Sequence, residues 1–398
     1  MLQLSFVNFK ANTYITIEGT TATDRFFIIQ SGQVCVYRSL NLPGGVNQFY
    51  GPGDFVAVIP CMSGHGSTES VLAMTDVVAI MVKKDQYPEL IMRNTPVAMK
   101  IVRSFALTMR ALNDNLTKAS TAKVTTSSPE EIFGIAKFYE RSGLLDIACY
   151  GYYQYLKACP HGLNFEYAKQ AFIKLKPRTN PPYLEPKADA TIRLYHKDSM
   201  IFSECQAGSD MFIIQEGSVK ITKVVNDKEV TLAILRKGDM FGEMALLEHK
   251  PRSASAIAHE DCRLLTVNKE NFDQMVSTQP QMIARLTTMF AERLWALYRQ
   301  LSNTQLTDPK EKMVDMLALQ IEKLKVTPVK GNTFVSDLTV QDIAAMCGMN
   351  QQEQSMAYYQ LSQDQNLKIT QGKIEVKDLK ELFSQAAFYR KQNARRAK

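Results

Sequence analysis

FGEMALLEHKPRSAS, residues 241–255, sets one acid, Glu243, and one base, Arg252, on either side of a short loop. Gly242 precedes the glutamate and lets the backbone approach a ligand with no Cβ in the way. Met244, Ala245, Leu246 and Leu247 make a mostly apolar turn able to start a short helix, whose free N–H groups favour an anion beside Glu243. Pro251 fixes the backbone just before Arg252. The planar fork of Arg252 suits a phosphate, and Glu243 can accept a hydrogen bond from a sugar hydroxyl. One stretch thus offers a phosphate clamp, a hydroxyl acceptor and a backbone cradle. The plainer alternative is a surface loop with a Glu–Arg ion pair and no ligand.

The run resembles the phosphate-binding cassette of cyclic-nucleotide-binding domains: F-G-E-apolar-A-L-apolar, three variable residues, then P-R-small-A. Phe241 to Leu247 and Pro251 to Ala254 fit it position by position. The resemblance implies that Gly242, Glu243, Met244, Ala245, Arg252 and Ser253 bind a cyclic nucleotide, cyclic AMP or cyclic GMP. In that family the glutamate takes the ribose 2′-hydroxyl and the arginine takes the cyclic phosphate.

Working outward, FIIQEGSV at 212–219 echoes FIIQSGQV at 27–34, and Gly238-Asp239 echoes Gly53-Asp54, at a constant offset of 185 residues (212 − 27 and 238 − 53). A repeat this long means duplicated domains rather than a solenoid. Short apolar runs such as Phe26 to Ile29 and Val34 to Tyr37 alternate with turn signals at Pro43-Gly44-Gly45 and Gly51-Pro52-Gly53-Asp54, the pattern of an all-β sandwich or roll. Residues 1–117 and 187–303 therefore read as two copies of one β jelly roll, both resembling cyclic-nucleotide-binding domains. At the same offset Glu243 becomes Val58, Gly242 becomes Ala57, Pro251 becomes Gly66 and Arg252 becomes Ser67. Losing one charge-assisted hydrogen bond costs about 1.5–3 kcal/mol, and stranding a buried anion costs more. The first copy is thus expected to be a degenerate, structural or interaction domain. A different ligand held by main-chain groups at Ser63 to Ser67 is the alternative, and His65 there reads as a loop histidine.

Each roll is followed by a helix. Ala98, Ile101, Phe105, Thr108 and Leu112 recur at helical spacing from Pro96 to Thr117, as do Ile283, Leu286, Phe290, Leu294, Leu297 and Leu301 from Pro280 to Asn303. In the family such a helix pairs with its counterpart in a dimer and caps the base. A homodimer and an intrachain pseudo-dimer both follow from two such helices in one chain. Trp295, Leu297 and Tyr298 are the candidate base-capping residues. Leu297 and Tyr298 stand where family members carry a Thr-Ser pair against adenine, and core packing is the competing role for the aromatics.

Residues 118–186 differ in composition. Thr117 to Pro129 reads as a Thr/Ser/Lys-rich linker. Ile132 to Gly162 resembles a single tetratricopeptide unit, with Ala136, Tyr139, Gly143, Ala148, Tyr152 and Pro160 in place and Tyr155 where a small residue is usual. A lone hairpin cannot bury its own face, so it must dock elsewhere, with a third helix near Asn164 to Leu175. Prolines from Pro177 to Pro186 close the segment. A rigid helical spacer is the expected role.

Residues 304–398 resemble the winged helix of the catabolite-activator family of transcription regulators. Thr339 starts a first helix, Gly348 makes a turn, a second helix runs from Asn350 to Leu361, and Gln371-Gly372 turns the wing. The second helix, NQQEQSMAYYQL, holds no Lys or Arg where family members place arginines. The region carries 14 basic and 11 acidic residues, but five of the basic ones lie in the tail RKQNARRAK, leaving the rest slightly acidic. DNA affinity rests on neutralised phosphates. Two outputs therefore stay open: DNA, with Gln351 or Gln352 reading adenine, or a protein partner.

The whole is a multidomain α+β chain: two β jelly rolls joined by a tetratricopeptide-like linker, then a winged helix-turn-helix with a basic tail. With 45% hydrophobic and 22% charged residues it can bury sizeable cores, and its net charge of +7 suits acidic partners. Seven scattered cysteines without a C-x-x-C pair read as reduced thiols of a cytoplasmic protein. The start, MLQLSFVNFKANTY, lacks the apolar core of a secretory leader, and the apolar run Val71 to Val82 is too short to span a bilayer. The sequence offers no P-loop, metal-ligand spacing or nucleophile motif, so neither a metal nor an enzyme activity is expected.

Overall fold

Along Arg25–Ser31 (β3) the side chains of Phe27 and Ile29 enter the same core as Val34 and Val36 of Val34–Tyr37 (β4), the period-two pattern of a half-buried strand. The computed structural model describes residues 5–38, 48–121, 128–179, 191–225, 227–248 and 250–396. They form two compact units: Met1–Leu116, Gln274–Ile343 and Gln351–Lys398 in the first, Thr117–Asp273 and Ala344–Asn350 in the second.

The roll of the first unit adds Ser5–Phe9 (β1), Tyr14–Thr16 (β2), Gln48–Tyr50 (β5), Phe55–Val56 (β6), Ser70–Ala73 (β7) and Val77–Lys83 (β8). Its two sheets run β1-β8-β3-β6 and β2-β7-β4-β5. A short helix, Val58–Ser63 (α1), lies between β6 and β7 and is buried throughout. Tyr87–Arg93 (α2) and Thr95–Thr121 (α3) follow. The helix α3 continues past the expected start of the Thr/Ser-rich linker at Thr117. That linker's residues 122–127 lie outside the described residues, as do the expected turn Pro43-Gly44-Gly45 and most of the proline-rich closing segment.

The second unit opens with three helices, Glu131–Arg141 (α4), Leu145–Ala158 (α5) and Phe165–Leu175 (α6). Its roll comprises Ile192–Tyr195 (β9), Met200–Phe202 (β10), Met211–Glu216 (β11), Val219–Val225 (β12), Lys228–Leu235 (β13), Met240–Phe241 (β14), Ser255–Ala258 (β15) and Cys262–Val267 (β16), with helix Glu243–Glu248 (α7) between β14 and β15. The sheets run β9-β16-β11-β14 and β10-β15-β12-β13. Strand for strand this is the topology of the first roll, and α7 starts 185 residues after α1 (243 − 58), so the duplication seen in sequence is a duplication of fold. Phe202, Phe212 and Phe241 stack at its centre with ring centroids 5.2–6.0 Å apart.

The helical hairpin docks on this second roll. Ala136 and Ala148 are fully buried and let α4 and α5 approach. Their apolar face continues through Tyr139 and Ile147 into Met200, Cys205 and Ile257 of the roll. Polar tips fix the register: the Tyr139 hydroxyl donates to Glu229 at 2.8 Å and the Tyr150 hydroxyl to the carbonyl of Ile201 at 3.2 Å. Tyr155, the residue out of pattern, donates to Glu130 at 2.8 Å and stays buried.

Lys269–Thr278 (α8) leads into Pro280–Thr304 (α9), which belongs to the first unit from its start and packs along α1 and α2. The Tyr87 hydroxyl and Thr287 share a buried hydrogen bond of 2.9 Å in that contact. Pro309–Lys323 (α10) is capped by Asp308, which accepts from the amide of Glu311 at 3.1 Å. Phe334–Thr339 (β17), Leu367–Thr370 (β18) and Lys373–Val376 (β19) form a sheet of order β17-β19-β18, with Val340–Met346 (α11) and Gln351–Ser362 (α12) between its first two strands in sequence. Gln371-Gly372 is the turn between β18 and β19, and Thr339 caps α11 by accepting from Asp342 at 3.1 Å. Leu379–Arg396 (α13) takes in the start of the basic tail, and its Arg390 pairs with the buried carboxylate of Asp315, which Asn303 also meets at 3.1 Å.

Tyr139→Phe removes one hydrogen bond to a charged partner at the hairpin–roll junction. It is expected to lower the stability of the second unit by about 1.5–3 kcal/mol in urea unfolding, whereas an unchanged midpoint contradicts this docking.

Candidate functional site

The segment between β14 and β15 carries the residues singled out from the sequence, and it is no surface loop: Glu243 is 2% exposed and Arg252 6%. Two features place them. Gly242 sits at φ 80°, a left-handed turn open to glycine, and a Cβ there would fall 2.8 Å from Nη1 of Arg252. The backbone of Arg252 is pinned by two hydrogen bonds to the strand-end loop before β11, its N–H to Gln206 and its carbonyl to the N–H of Cys205, each 2.9 Å.

The guanidinium reaches inward. Nη1 donates to the carbonyl of Gly242 at 2.6 Å, and the group lies over the ring of Phe202 at 4.2 Å. Gly208 flanks its other edge, where a Cβ would stand 2.8 Å from Nη2. Burial pulls its pKa down to about 10, with Asp210 opposing the fall, so it remains a cation at neutral pH. Its Nε is buried and has no hydrogen-bond partner. A buried cation with a donor to spare fits an anion. Met244 and Ala245 line the buried side of α7, and the Ser253 hydroxyl meets the Met244 sulfur at 3.6 Å. Gly242, Glu243, Met244, Ala245, Arg252 and Ser253 are thus brought together.

The same frame in the first roll holds different chemistry. Ala57 keeps the left-handed backbone of Gly242, at φ 62°. Val58 is buried, and the hydroxyl of Ser67 is turned onto the neighbouring backbone, donating to the carbonyl of Glu69 at 2.8 Å. The nearby cation, Arg38, is ion-paired to Glu69 and lies 4.5 Å under the ring of Tyr298. His65 stacks flat on Trp295, with centroids 3.6 Å apart and planes 8° from parallel, and its Nδ1 is 3.8 Å from Glu322. Trp295, Leu297 and Tyr298, the candidate base-capping residues, are buried in the first unit, Trp295 and Tyr298 in these contacts. Gln351 and Gln352 are exposed at the start of α12, beside exposed Met356, Tyr358 and Tyr359.

Sequence reasoning missed the supports of Arg252 that come from outside the cassette: Gln206, Gly208 and Asp210 before β11, and Tyr150 on α5, whose hydroxyl also meets Gln206 Oε1 at 3.2 Å. Gly208-Ser209-Asp210 is the kind of run that marks a turn, but nothing in it points to Arg252. All seven cysteines are buried and free, as the sequence suggested. Among the described residues no group of His, Cys, Asp and Glu could hold a metal, and no helix is long and apolar enough to cross a membrane.

Comparison with known proteins follows the same lines. The family described as "Cyclic nucleotide-binding domain" matches residues 6–94 and 192–279, so this domain is present in two copies. The chain is similar to the "Cyclic AMP receptor protein" of Thermus thermophilus, 26% identical over 187 residues, 47% of this chain and 83% of the relative. It is 26% identical over 200 residues to the "cAMP-activated global transcriptional regulator CRP" of Salmonella typhimurium, 50% of this chain and 94% of the relative. Among solved structures, a CooA mutant from Carboxydothermus hydrogenoformans aligns with a TM-score of 0.43 and 22% identity over 50% of this chain and 87% of its own.

Burial lowers the pKa of His65, against the pull of Glu322 and Glu292. The unfolded chain protonates this ring near its ordinary value of about 6.5, the folded one only at lower pH. Between the two the unfolded state binds more protons, so stability falls as pH drops below that value. His65→Phe keeps a ring on Trp295 and is expected to flatten the loss between pH 7 and 5 in urea unfolding. Parallel curves for the two proteins contradict this.

Proposed function

We propose that this chain, which carries the cyclic nucleotide-binding domain twice, is a cyclic-nucleotide sensor, with cyclic AMP the leading ligand. The second roll senses and the first does not. The observation that carries the reading is the buried guanidinium of Arg252 with an unspent Nε, set beside Glu243 at the turn of Gly242. A cyclic phosphate accepts from Arg252 and the ribose hydroxyl donates to Glu243. The first roll has Val58 and Ser67 at those places and its own cation, Arg38, already paired. No metal and no catalytic group are part of the reading.

Binding is read out by population shift, through contacts the ligand strengthens in one arrangement of the protein. Arg252 is tied through Gln206 to Tyr150 of the hairpin, so a change at the phosphate is felt in α5. The helix α9, which follows the second copy in sequence, packs on α1 of the first roll, so the helix after one copy serves the other. The output is transcriptional control in the cytoplasm, with α12 presenting Gln351 and Gln352 to DNA. The name of the Salmonella relative, a cAMP-activated global transcriptional regulator, supports the transcriptional part of this reading. A second output is favoured by one observation: α12 carries no Lys or Arg and exposes Met356, Tyr358 and Tyr359, a surface suited to a protein partner.

Gel-shift titration with random-sequence duplex pools, across salt concentrations and with or without cyclic AMP, separates the outputs. Transcriptional control predicts sequence-selective, salt-sensitive binding that strengthens with cyclic AMP and loses that response in Arg252→Ala. No selective binding at any salt with ligand present contradicts it and favours the protein partner.

A further inference from the structure

A cavity of about 520 Å³ lies within the second unit, between α5 and the edge of the roll. Arg252 forms part of its wall, but none of Gly242, Glu243, Met244, Ala245 and Ser253 does. The cavity is therefore a separate space that reaches the same guanidinium from the hairpin side. Three cations line it, Arg252, Arg193 and Lys157, against one carboxylate, Asp210. Arg193 ion-pairs with Asp210 at 3.3 Å through Nη2, yet its Nε, like that of Arg252, is buried without a hydrogen-bond partner. The wall between the two arginines is cut back at Gly208, where any Cβ would press on the Arg252 guanidinium at 2.8–3.1 Å. Gln154 of α5 adds an amide.

We propose that this cavity is a second anion site, built for a small phosphorylated molecule rather than for the cyclic nucleotide. Two guanidinium groups, each with a buried Nε donor to spare, suit phosphate oxygens better than a lone carboxylate. The volume exceeds that of inorganic phosphate and leaves room for an attached sugar or similar body held by the Gln154 amide. Because α5 forms one wall, occupancy clamps the hairpin to the roll. Because Arg252 is shared, the ligand and the cassette are thermodynamically linked, and each alters the affinity for the other by the same factor. The site does not depend on the cyclic-nucleotide reading, since Arg193 and Lys157 lie outside the cassette.

The test is calorimetric titration of the full-length protein with inorganic phosphate and with ribose 5-phosphate at constant ionic strength. Arg193→Gln, the exposed Lys157→Glu and Glu243→Gln are compared with the wild type. Saturable binding that is about tenfold weaker in Arg193→Gln and in Lys157→Glu, and unaffected by Glu243→Gln, supports the cavity. Binding that survives both cavity substitutions but is lost in Glu243→Gln places the anion on the cassette and overturns the proposal, as does absence of binding to the wild type. Cyclic-nucleotide titration of the same variants keeps the two sites distinguishable: Glu243→Gln weakens it, and Lys157→Glu leaves a functioning cassette.

Discussion

A guanidinium held inside a β roll is costly unless something answers its charge. Arg252 is held there by the carbonyl of Gly242 and the face of Phe202, with room left for it at Gly208, and Asp210 offsets only part of the cost. Its pKa is pulled down by burial, so the folded state bears a standing cost for keeping it charged. An anion removes that cost. The second unit can be understood as the frame for this one group. Gly242 turns the chain out of its way, the backbone of Gln206 and Cys205 fixes its own backbone, and the hairpin holds Gln206 in place through Tyr150.

The duplicated roll shows what happens to the frame when the charge is removed. Sheet order and the cassette helix persist, and Ala57 even keeps the left-handed backbone that Gly242 adopts at no steric cost. The contents change. Val58 and Ser67 are packed or turned inward, and the loop between them gives His65 to a stack with Trp295. The first roll is a seat for α9, and ring stacking and apolar burial contribute to stability there.

The cassette was legible in the sequence because its chemistry is local: a glycine for the turn, a proline before the arginine and fixed spacing each carry their meaning within fifteen residues, 241–255. The duplication was legible because offset alone reveals it. Where partners are distant, the reading ran short. The hairpin's need to dock was clear because a lone unit cannot bury its own face, but not that Met200, Cys205 and Ile257 would receive it. The basic tail gave no sign of a structural partner, since nothing near it in sequence signals that Asp315 is buried against Arg390. Polar composition around Thr117 suggested coil, yet α3 runs on to Thr121, because an amphipathic helix already nucleated extends cheaply through threonine and serine. The sequence could not show that Trp295 stacks on His65 or that Arg38 lies under Tyr298, because these partners stand more than two hundred residues away in the chain.

The division of labour between the two rolls is tested most directly by counting cyclic nucleotides bound per chain. Native mass spectrometry of the full-length protein with increasing cyclic AMP, beside Arg252→Ala, gives that count without assuming an affinity. The account predicts a single saturable occupancy in the wild type and none in the variant. Two ligands per chain, or one that persists in Arg252→Ala, would contradict it.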